Sequence, residues 1–499
     1  MSTREIELKL SVHASYMIPN LSEHGLAFQQ EEQPARTLRA TYYDTEDLRL
    51  ARSGATLRYR SGEAVPGWTL KLPVEGSDAQ VRDEHTFPGS QNSIPDTIRE
   101  LVTPWARTAP LVPVARLTTR RRVWKITGQE GDPIAEIDDD EVSILEGRRV
   151  VARFREVEVE SNGASLATLE EIARVLMSVG AVAAEPIPKA VRALGPKATA
   201  APDLPLAHAA DPDAPAELAI ANAIRHSVER ILSHDTPARL GEPEGVHQMR
   251  VGARRLRSDL RTFSSLVDAE WAARISDGLK WLAGELGQVR DIDVLKERCE
   301  ALPFDEARRV LLDELANRHE AARTAMVSSL NSTRYKELLE QLVAAAQNPR
   351  CSAAARKPST KVMPSMVNTT FTKLARKARK VGLHDDEEDF HAIRIHAKRT
   401  RYAAEAVAAA LGGSKGAPAA RFASLVADVQ DELGELQDTA VARDLIDSVA
   451  GTHTSAPRLL FELGRAYELQ VMEADRLKAS FLETWERLDR GKNLRWMQA

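Results

Sequence analysis

The sequence predicts two domains of different class: an N-terminal antiparallel β sheet or barrel with helices (α+β), then a C-terminal all-α domain that is a duplicated helical bundle. Period-two alternation runs to about residue 195, and a 3.6-residue period takes over from about residue 217 and holds to the end. Between them lies a stretch of Ala, Pro and Asp with neither period. At 499 residues the chain is also too long for one ordinary core.

The alternating segments are "EIELKL", "ATLRYR", "GWTLKLP", "VRDEHTF", "VWKIT", "AEIDDDEVSI" and "FREVEVE", separated by turn-prone Gly, Asp and Pro. In the first of them Glu5, Glu7 and Lys9 share one face, and Ile6, Leu8 and Leu10 share the other. A helix, "SLATLEEIARVLMSVG", follows the last strand, with Ser165 as N-cap and Gly180 as the stop. The next stretch, "GPKATAAPDLPLAHAADPDAPAE", reads as a linker. The expected domains are 1–195, a linker over 196–216, and a helical domain over 217–499 with repeats at about 217–350 and 365–499.

Composition excludes several classes. Hydrophobic residues are 43%, charged residues 28% and the net charge is −5, so no global excess points to nucleic acid or a membrane surface. With no early apolar h-region and no run of about 18 apolar residues, neither a signal peptide nor a membrane span is expected. Cys299 and Cys351 lack metal-ligand spacing and suit a reducing compartment, so a cytoplasmic protein is expected.

Nearly every strand carries a charged stripe: Arg58 with Arg60, Lys71, Arg82 with Glu84, Glu136 with Asp138, and Glu156 with Glu158 and Glu160. A single such stripe is accounted for as the wet face of a sheet. Here one group of strands offers mainly Arg and Lys and another mainly Glu and Asp. If the sheet closes, both converge on a lumen and need a ligand that balances them. A triphosphate with a divalent cation is such a ligand, because arginine forks and lysines neutralise phosphate while carboxylates hold the hard cation.

The stretches "EIELKL", "YYDTEDLRLARSGATLRYR", "GWTLKLP", "VRDEHTFPG" and "FREVEVE", with Lys189 in "IPKAVRAL", resemble in that order the CYTH domain of the triphosphate tunnel metalloenzymes. The resemblance implies an antiparallel β tunnel that hydrolyses a triphosphate with Mg²⁺ or Mn²⁺. It implies Glu5, Glu7, Glu156 and Glu158 as metal ligands or water-orienting carboxylates, supported by Glu136 and Asp138, with Glu5, Glu7 and Glu158 as the catalytic set. Lys9, Arg58, Arg60, Lys71, Arg82, Arg121 and Lys189 become phosphate contacts. In "TTRRRVW" the family arginine is most similar to Arg121, while alternation alone is served equally by Arg120 and Arg122. Pro188 stands where the family often has Ser, which removes one hydroxyl contact.

In the helical half "VHQMRVGARRLRS" matches "FHAIRIHAKRTRY", and "ELGQVRDIDV" matches "ELGELQDTAV". His247, Arg250, Arg254 and Arg257 fall on one helix face, with His391, Arg394, Lys398 and Arg401 at the equivalent positions and Arg255 and Arg399 beside them. Stacked like charges cost helix stability, so such a stripe implies a purpose: either Asp291, Asp293 and Asp438 pair with it and tie the repeats together, or it binds an anion. This half resembles the CHAD domain, which implies a basic groove for inorganic polyphosphate and an association with polyphosphate granules. Thr400 and Gln437 depart from repeat one, which has Leu256 and Arg290. "KLARKARKVG" adds Lys373, Arg376, Lys377, Arg379 and Lys380, which extend a polyanion track or form a solvated face.

The expected function is metal-dependent hydrolysis of inorganic triphosphate, with polyphosphate bound by the helical domain. The alternatives are a non-catalytic polyphosphate-binding or granule-targeting module, and a tunnel enzyme acting on thiamine triphosphate, a nucleoside triphosphate, or ATP by cyclisation. The carboxylates Glu5, Glu7, Glu156 and Glu158 count against pure anion binding. At 5% aromatic residues, stacking platforms for bases are scarce, so no specific nucleic acid is expected as partner.

Overall fold

The computed structural model describes residues 2–63, 65–73, 81–185 and 187–498, the side chains of 2–5 and 498 excepted. The chain divides into two compact units, Met1–Asp203 and Leu204–Ala499.

Unit one is built on β1 (Ser2–Ser11), β2 (Gln29–Asp44), β3 (Thr56–Ser61), β4 (Gly67–Pro73), β5 (Val81–Pro88), β6 (Val112–Thr127), β7 (Pro133–Glu146), β8 (Arg149–Ser161) and β9 (Val182–Ala183). They form one antiparallel sheet in the order β5-β4-β3-β2-β6-β7-β8-β1-β9, and the pairing of β5 with β1 closes β1–β8 into a ring. Closure removes the free edges that a sheet this wide would otherwise expose.

The alternation decides which side is the inside. Leu10 of β1, Ile137 of β7 and Val157 and Val159 of β8 point outward into a core with Leu169, Ile172 and Leu176 of helix α1 (Leu166–Ser178). The N-cap is Ser165, whose side chain accepts from the Thr168 N–H, and Gly180 beyond the helix has φ +109°. A second outer core gathers Leu57, Trp68 and Leu70 of β3 and β4 against Ile98 and Leu101 of the short helix Asp96–Leu101. With the apolar side chains facing out to these layers, the charged ones are turned into the ring. One end of the lumen is filled by Tyr42, Leu117, Val142 and Ala190, the last from helix α2 (Lys189–Leu194).

Unit two holds α3 (Ala216–Ser233), α4 (Pro243–Thr262), α5 (Ala269–Glu300), α6 (Asp305–Asn331), α7 (Thr333–Gln347), α8 (Pro364–Ala378), α9 (Glu387–Leu411), α10 (Gly413–Thr452) and α11 (Pro457–Leu488). The duplication is visible as α3–α6 against α8–α11, and the basic segment lies on the second helix of each set, α4 and α9, which contact one another. A main core includes Leu256, Leu282, Phe390, Phe422 and Phe481; a second joins Leu295, Leu311, Leu445 and Leu463 of α5, α6, α10 and α11. Thr400, at the position of Leu256, is fully buried and donates its hydroxyl to the His396 carbonyl at 3.0 Å, so the polar replacement is satisfied. No helix among the described residues is long and apolar enough to cross a membrane.

Ile172, fully buried between α1 and the ring, is the test of this packing. Truncation to Ala is expected to cost about 2–5 kcal/mol in a urea melt of the full chain; a cost near zero would mean that α1 is not seated on the ring.

Candidate functional site: a charged lumen and a basic groove

Within the ring the two signs are mostly separated by strand, with Lys9 of β1 and Glu84 of β5 as the exceptions on the lining. The arc β3-β4-β5 turns Arg58, Arg60, Lys71 and Arg82 inward, and the arc β7-β8-β1 presents Asp138, Asp140, Glu156, Glu158, Glu160, Glu7 and Lys9. Residues from both arcs line a cavity of about 100 Å³, with Arg121 of β6 and Lys189 at the start of α2.

These groups are held against one another. Lys9 Nζ lies 2.5 Å from Glu158 and 3.3 Å from Glu7. Lys189 Nζ reaches Glu158 at 2.6 Å, Glu156 at 2.8 Å and Asp140 at 3.0 Å. Arg121 pairs with Asp138, with Asp140 at 2.6 Å and with Glu158 at 3.4 Å. Lys71 meets Glu84 at 3.2 Å. Burial pushes the Glu158 carboxyl up, but Lys189, Lys9 and Arg121 outweigh it and hold that carboxyl well below its usual range. Glu160 has the opposite balance: burial and the nearby Asp138 and Glu158 carboxylates push it up to about 8, against Arg121. Burial, with Asp140 and Glu158, likewise raises Asp138 to about 6 against the pull of Arg121.

Glu7, Glu158 and Glu160 each place a carboxylate oxygen within 4.8 Å of the others. Three carboxylates crowded until one of them resists ionisation form a donor set suited to a hard divalent cation, which would relieve their repulsion. The sequence places Glu160 in a charged stripe but not among the expected ligands; its signal is the parity that it shares with Glu158. Asp140 shares the parity of Asp138 in the same way, whereas Asp139 turns outward to Arg122 and to Arg155 at 2.8 Å. Asp138 and Glu156 are engaged by cations, the first by Arg121 and the second by Lys189 and by Arg192 at 3.1 Å. Glu136 lies one pleat further along β7, opposite Glu160 in register, and outside the cavity lining. Glu5 is in register with Arg82, but its side chain lies outside the described residues.

The register of "TTRRRVW" is decided here. Arg121 points into the lumen, Arg120 is exposed and Arg122 sits outside over the Trp124 ring. Trp124 and Ile126 belong to the outer core, and alternation back from them leaves only Arg121 of the three facing in. Tyr42 also lines the cavity, buried beside Arg58. Pro188, also on the lining, is the N-cap residue of α2.

In unit two the predicted basic residues divide between two cavities. Arg250, Arg254 and Arg257 of α4 meet His391, Arg394 and Lys398 of α9 in a groove of about 610 Å³, joined by Lys280 and Arg298 of α5. Arg250 pairs with Asp291 at 2.9 Å. Arg254, Arg257, Arg394 and Lys398 make no hydrogen bond or ion pair within 4 Å among the described residues. Burial and then Arg254, Arg394 and Arg250 push the Lys398 amine down to about 7. Gln437, which stands in for Arg290, hydrogen-bonds His391 at the groove edge. Asp293 turns instead to His319 at 3.2 Å. His247, Arg255 and Arg401 line a separate cavity of about 640 Å³, in which Arg401 meets Glu405 at 2.8 Å and Arg255 pairs with Glu405 and with Asp259. Arg399 lines neither cavity and lies beside Arg261.

Residues 3–183 match the family model of the CYTH domain and residues 222–447 that of the CHAD domain. Two uncharacterized proteins of Mycobacterium tuberculosis strains are each 29% identical over 513 residues, spanning 97% of this chain and 96% of the relative. Among solved structures, PptA from Streptomyces chartreusis is 18% identical with a TM-score of 0.47, covering 55% of this chain and 99% of its own. The CHAD domain of the plant Ricinus communis is 26% identical with a TM-score of 0.45, covering 56% and 94%. A Hippeastrum protein whose structure was described as revealing a dominant triphosphatase activity is 17% identical with a TM-score of 0.25, covering 39% and 98%.

The lumen carboxyls set a pH dependence. Glu160 and Asp138 titrate higher in the folded chain than unfolded, so between roughly pH 4.5 and 8 the folded state binds more protons and their contribution to stability falls as pH rises. In chelator, Glu160→Gln is expected to melt higher than wild type by a margin that grows from pH 5 to pH 8, and Mn²⁺ should stabilise the wild type more than the variant. A margin that does not change with pH would contradict the crowding of these carboxylates.

Proposed function

We propose that this chain, which carries a CYTH domain followed by a CHAD domain, hydrolyses inorganic triphosphate in the charged ring and binds inorganic polyphosphate in the helical groove. CYTH domains are those of the triphosphate tunnel enzymes, which generally use divalent metals. The observation that carries the finer reading is the lumen's two arcs, one mainly cationic and broken by Glu84, the other mainly acidic and broken by Lys9, with Glu7, Glu158 and Glu160 gathered in the second.

In this mechanism Arg58, Arg60, Lys71 and Arg82 take the phosphate oxygens, the guanidinium forks supplying paired donors and the ammonium a point charge. Lys9, Lys189 and Arg121, now paired with carboxylates, share their charge with the arriving anion, so the substrate replaces part of a network that is already in place. Tyr42 backs Arg58 at the filled end of the lumen. Glu7, Glu158 and Glu160 would hold Mg²⁺ or Mn²⁺, which supplies Lewis-acid polarisation of phosphoryl oxygens and of a water. Glu5, Glu7 and Glu158 are the proposed catalytic carboxylates: Glu7 and Glu158 would share that ion with Glu160, and Glu5 would orient a water. An anion-binding lumen without turnover gains nothing from carboxylates facing phosphate, which favours the enzyme over the binding module.

The aromatic side chains support an inorganic substrate. A nucleobase or thiazolium wants a ring at the mouth, yet Tyr43 and Tyr59 pack on Trp68 in the outer core, at centroid distances of 4.9 and 5.4 Å. Among the described residues Tyr42 is the aromatic one on the cavity lining, and it is buried beside Arg58. The small cavity and its polar lining suit an inorganic chain over ATP, thiamine triphosphate or a cyclisation substrate.

Phosphate release from inorganic triphosphate, ATP and thiamine triphosphate, compared with Mg²⁺ and with Mn²⁺, tests the reading. Fastest turnover of the inorganic substrate is expected, with a loss of about 100-fold or more in kcat for Glu7→Gln or Glu158→Gln. Turnover of ATP alone, or none at all in protein that still binds polyphosphate, would refute it.

The groove gives a second expectation. Lys398 must be charged to meet an anion and titrates near 7, so affinity for long-chain polyphosphate should weaken as pH rises from about 6 to 8.5. Lys398→Met should flatten the profile, and Lys398→Arg should keep tight binding at the alkaline end. A pH-independent wild type would show that Lys398 does not meet the anion.

A further inference from the structure

The two repeats have diverged at positions that control the groove's flanks. Arg399 of α9 stands where repeat one has Arg255 of α4, Ala403 where it has Asp259, and Glu405 where it has Arg261. These exchanges decide the neighbours. On one flank Arg255 is neutralised by Asp259 at 3.1 Å and by Glu405, which also holds Arg401. On the other flank Ala403 offers no carboxylate, and Arg399 has Arg261 beside it instead. The Arg399 Nε is buried with no hydrogen-bond partner among the described residues.

The uncompensated flank is continuous at both ends. Arg257, on the groove lining, has Arg261, Arg254 and Arg399 as its charged neighbours. His396, one turn before Arg399, is surrounded by Arg399 together with Lys377, Lys373 and Arg376 of α8. Those α8 side chains are exposed. Arg379 of the same segment is withdrawn from the set by a two-point bond to Asp489 at 2.7 and 2.8 Å. Cations gathered from three helices, none of them in an ion pair within 4 Å among the described residues, repel one another, and that repulsion is relieved by a polyanion laid across them.

We propose that the α4-α8-α9 face, from Arg257 through Arg261 and Arg399 to Lys373 and Lys377, is a second polyanion-binding surface, by which long inorganic polyphosphate leaves the groove on this flank and not on the Arg255 flank. The proposal rests on the reading that the groove binds polyphosphate. It assigns the drift between the repeats a purpose: a symmetric duplication would offer two equivalent exits, and the carboxylates Asp259 and Glu405 close one of them.

The test uses the full chain and inorganic polyphosphate of about 100 and about 10 phosphates at fixed salt, since phosphate contacts are read only against salt. Arg261→Glu gives Arg399 the carboxylate that Glu405 gives Arg255, at an exposed position where folding is not at stake. Lys373→Gln/Lys377→Gln removes charge from α8 alone. Both variants are expected to lose about tenfold or more in affinity for the long chain, with a shallower salt dependence, and to keep the short-chain affinity. Long-chain binding unchanged in both, while Arg254→Ala/Lys398→Ala weakens both lengths, overturns the second surface and leaves the groove standing. No effect of Arg254→Ala/Lys398→Ala removes the groove reading and the proposal with it. Single-stranded RNA of matching charge that displaces the long chain as well as polyphosphate does would reassign the surface to nucleic acid.

Discussion

The Glu158 carboxylate is the point on which the first unit turns. It is 3% exposed and receives Lys9 of β1, Arg121 of β6 and Lys189 of α2, while its own strand carries Glu156 and Glu160 on the same face. A buried carboxylate costs several kcal/mol of lost hydration, which only close cations with good geometry offset. Those cations come from elements far apart in sequence, so the ring has to be closed and α2 docked before the charges are compensated. Closure in turn rests on the apolar layers outside, where Trp68 and Ile172 and their neighbours fix the strand faces.

The helical unit meets the same problem differently. Its groove collects cations that are left mostly unpaired, and the cost appears as the depressed Lys398 and as buried guanidinium nitrogens of Arg250 and Arg394 without hydrogen bonds. What holds them together is the core beneath: Leu256 and Phe390 pack in the same cluster as Leu282 and Phe422. The stability of that core carries a surface on which like charges repel one another. In the ring, carboxylates within reach already serve as partners for the cations; in the groove, few are supplied.

Much of this was legible in the chain. Period two in "EIELKL" and "FREVEVE" placed Glu7, Lys9, Glu156 and Glu158 on charged faces, and the paired segments of the helical half located α4 and α9 as equivalent. Less was legible where alternation has no fixed phase. "TTRRRVW" became readable only once Trp124 was seen in the outer core. Spacing placed His247 in line with Arg250, yet it lines the other cavity, because the groove is cut by the crossing of α4 and α9 and not by a single helix face.

The sequence by itself determined the two periodicities, the order of charged strands, the duplication and the residue types that both sites use, because each of these depends on neighbours within one strand or one helix. Tertiary structure alone decided that β5 pairs with β1, that Glu160 joins Glu7 and Glu158, that Arg121 is the inward arginine, and that Arg255 finds carboxylates where Arg399 finds another arginine. These are meetings between residues distant along the chain, and no local period encodes the partner that a charge will face.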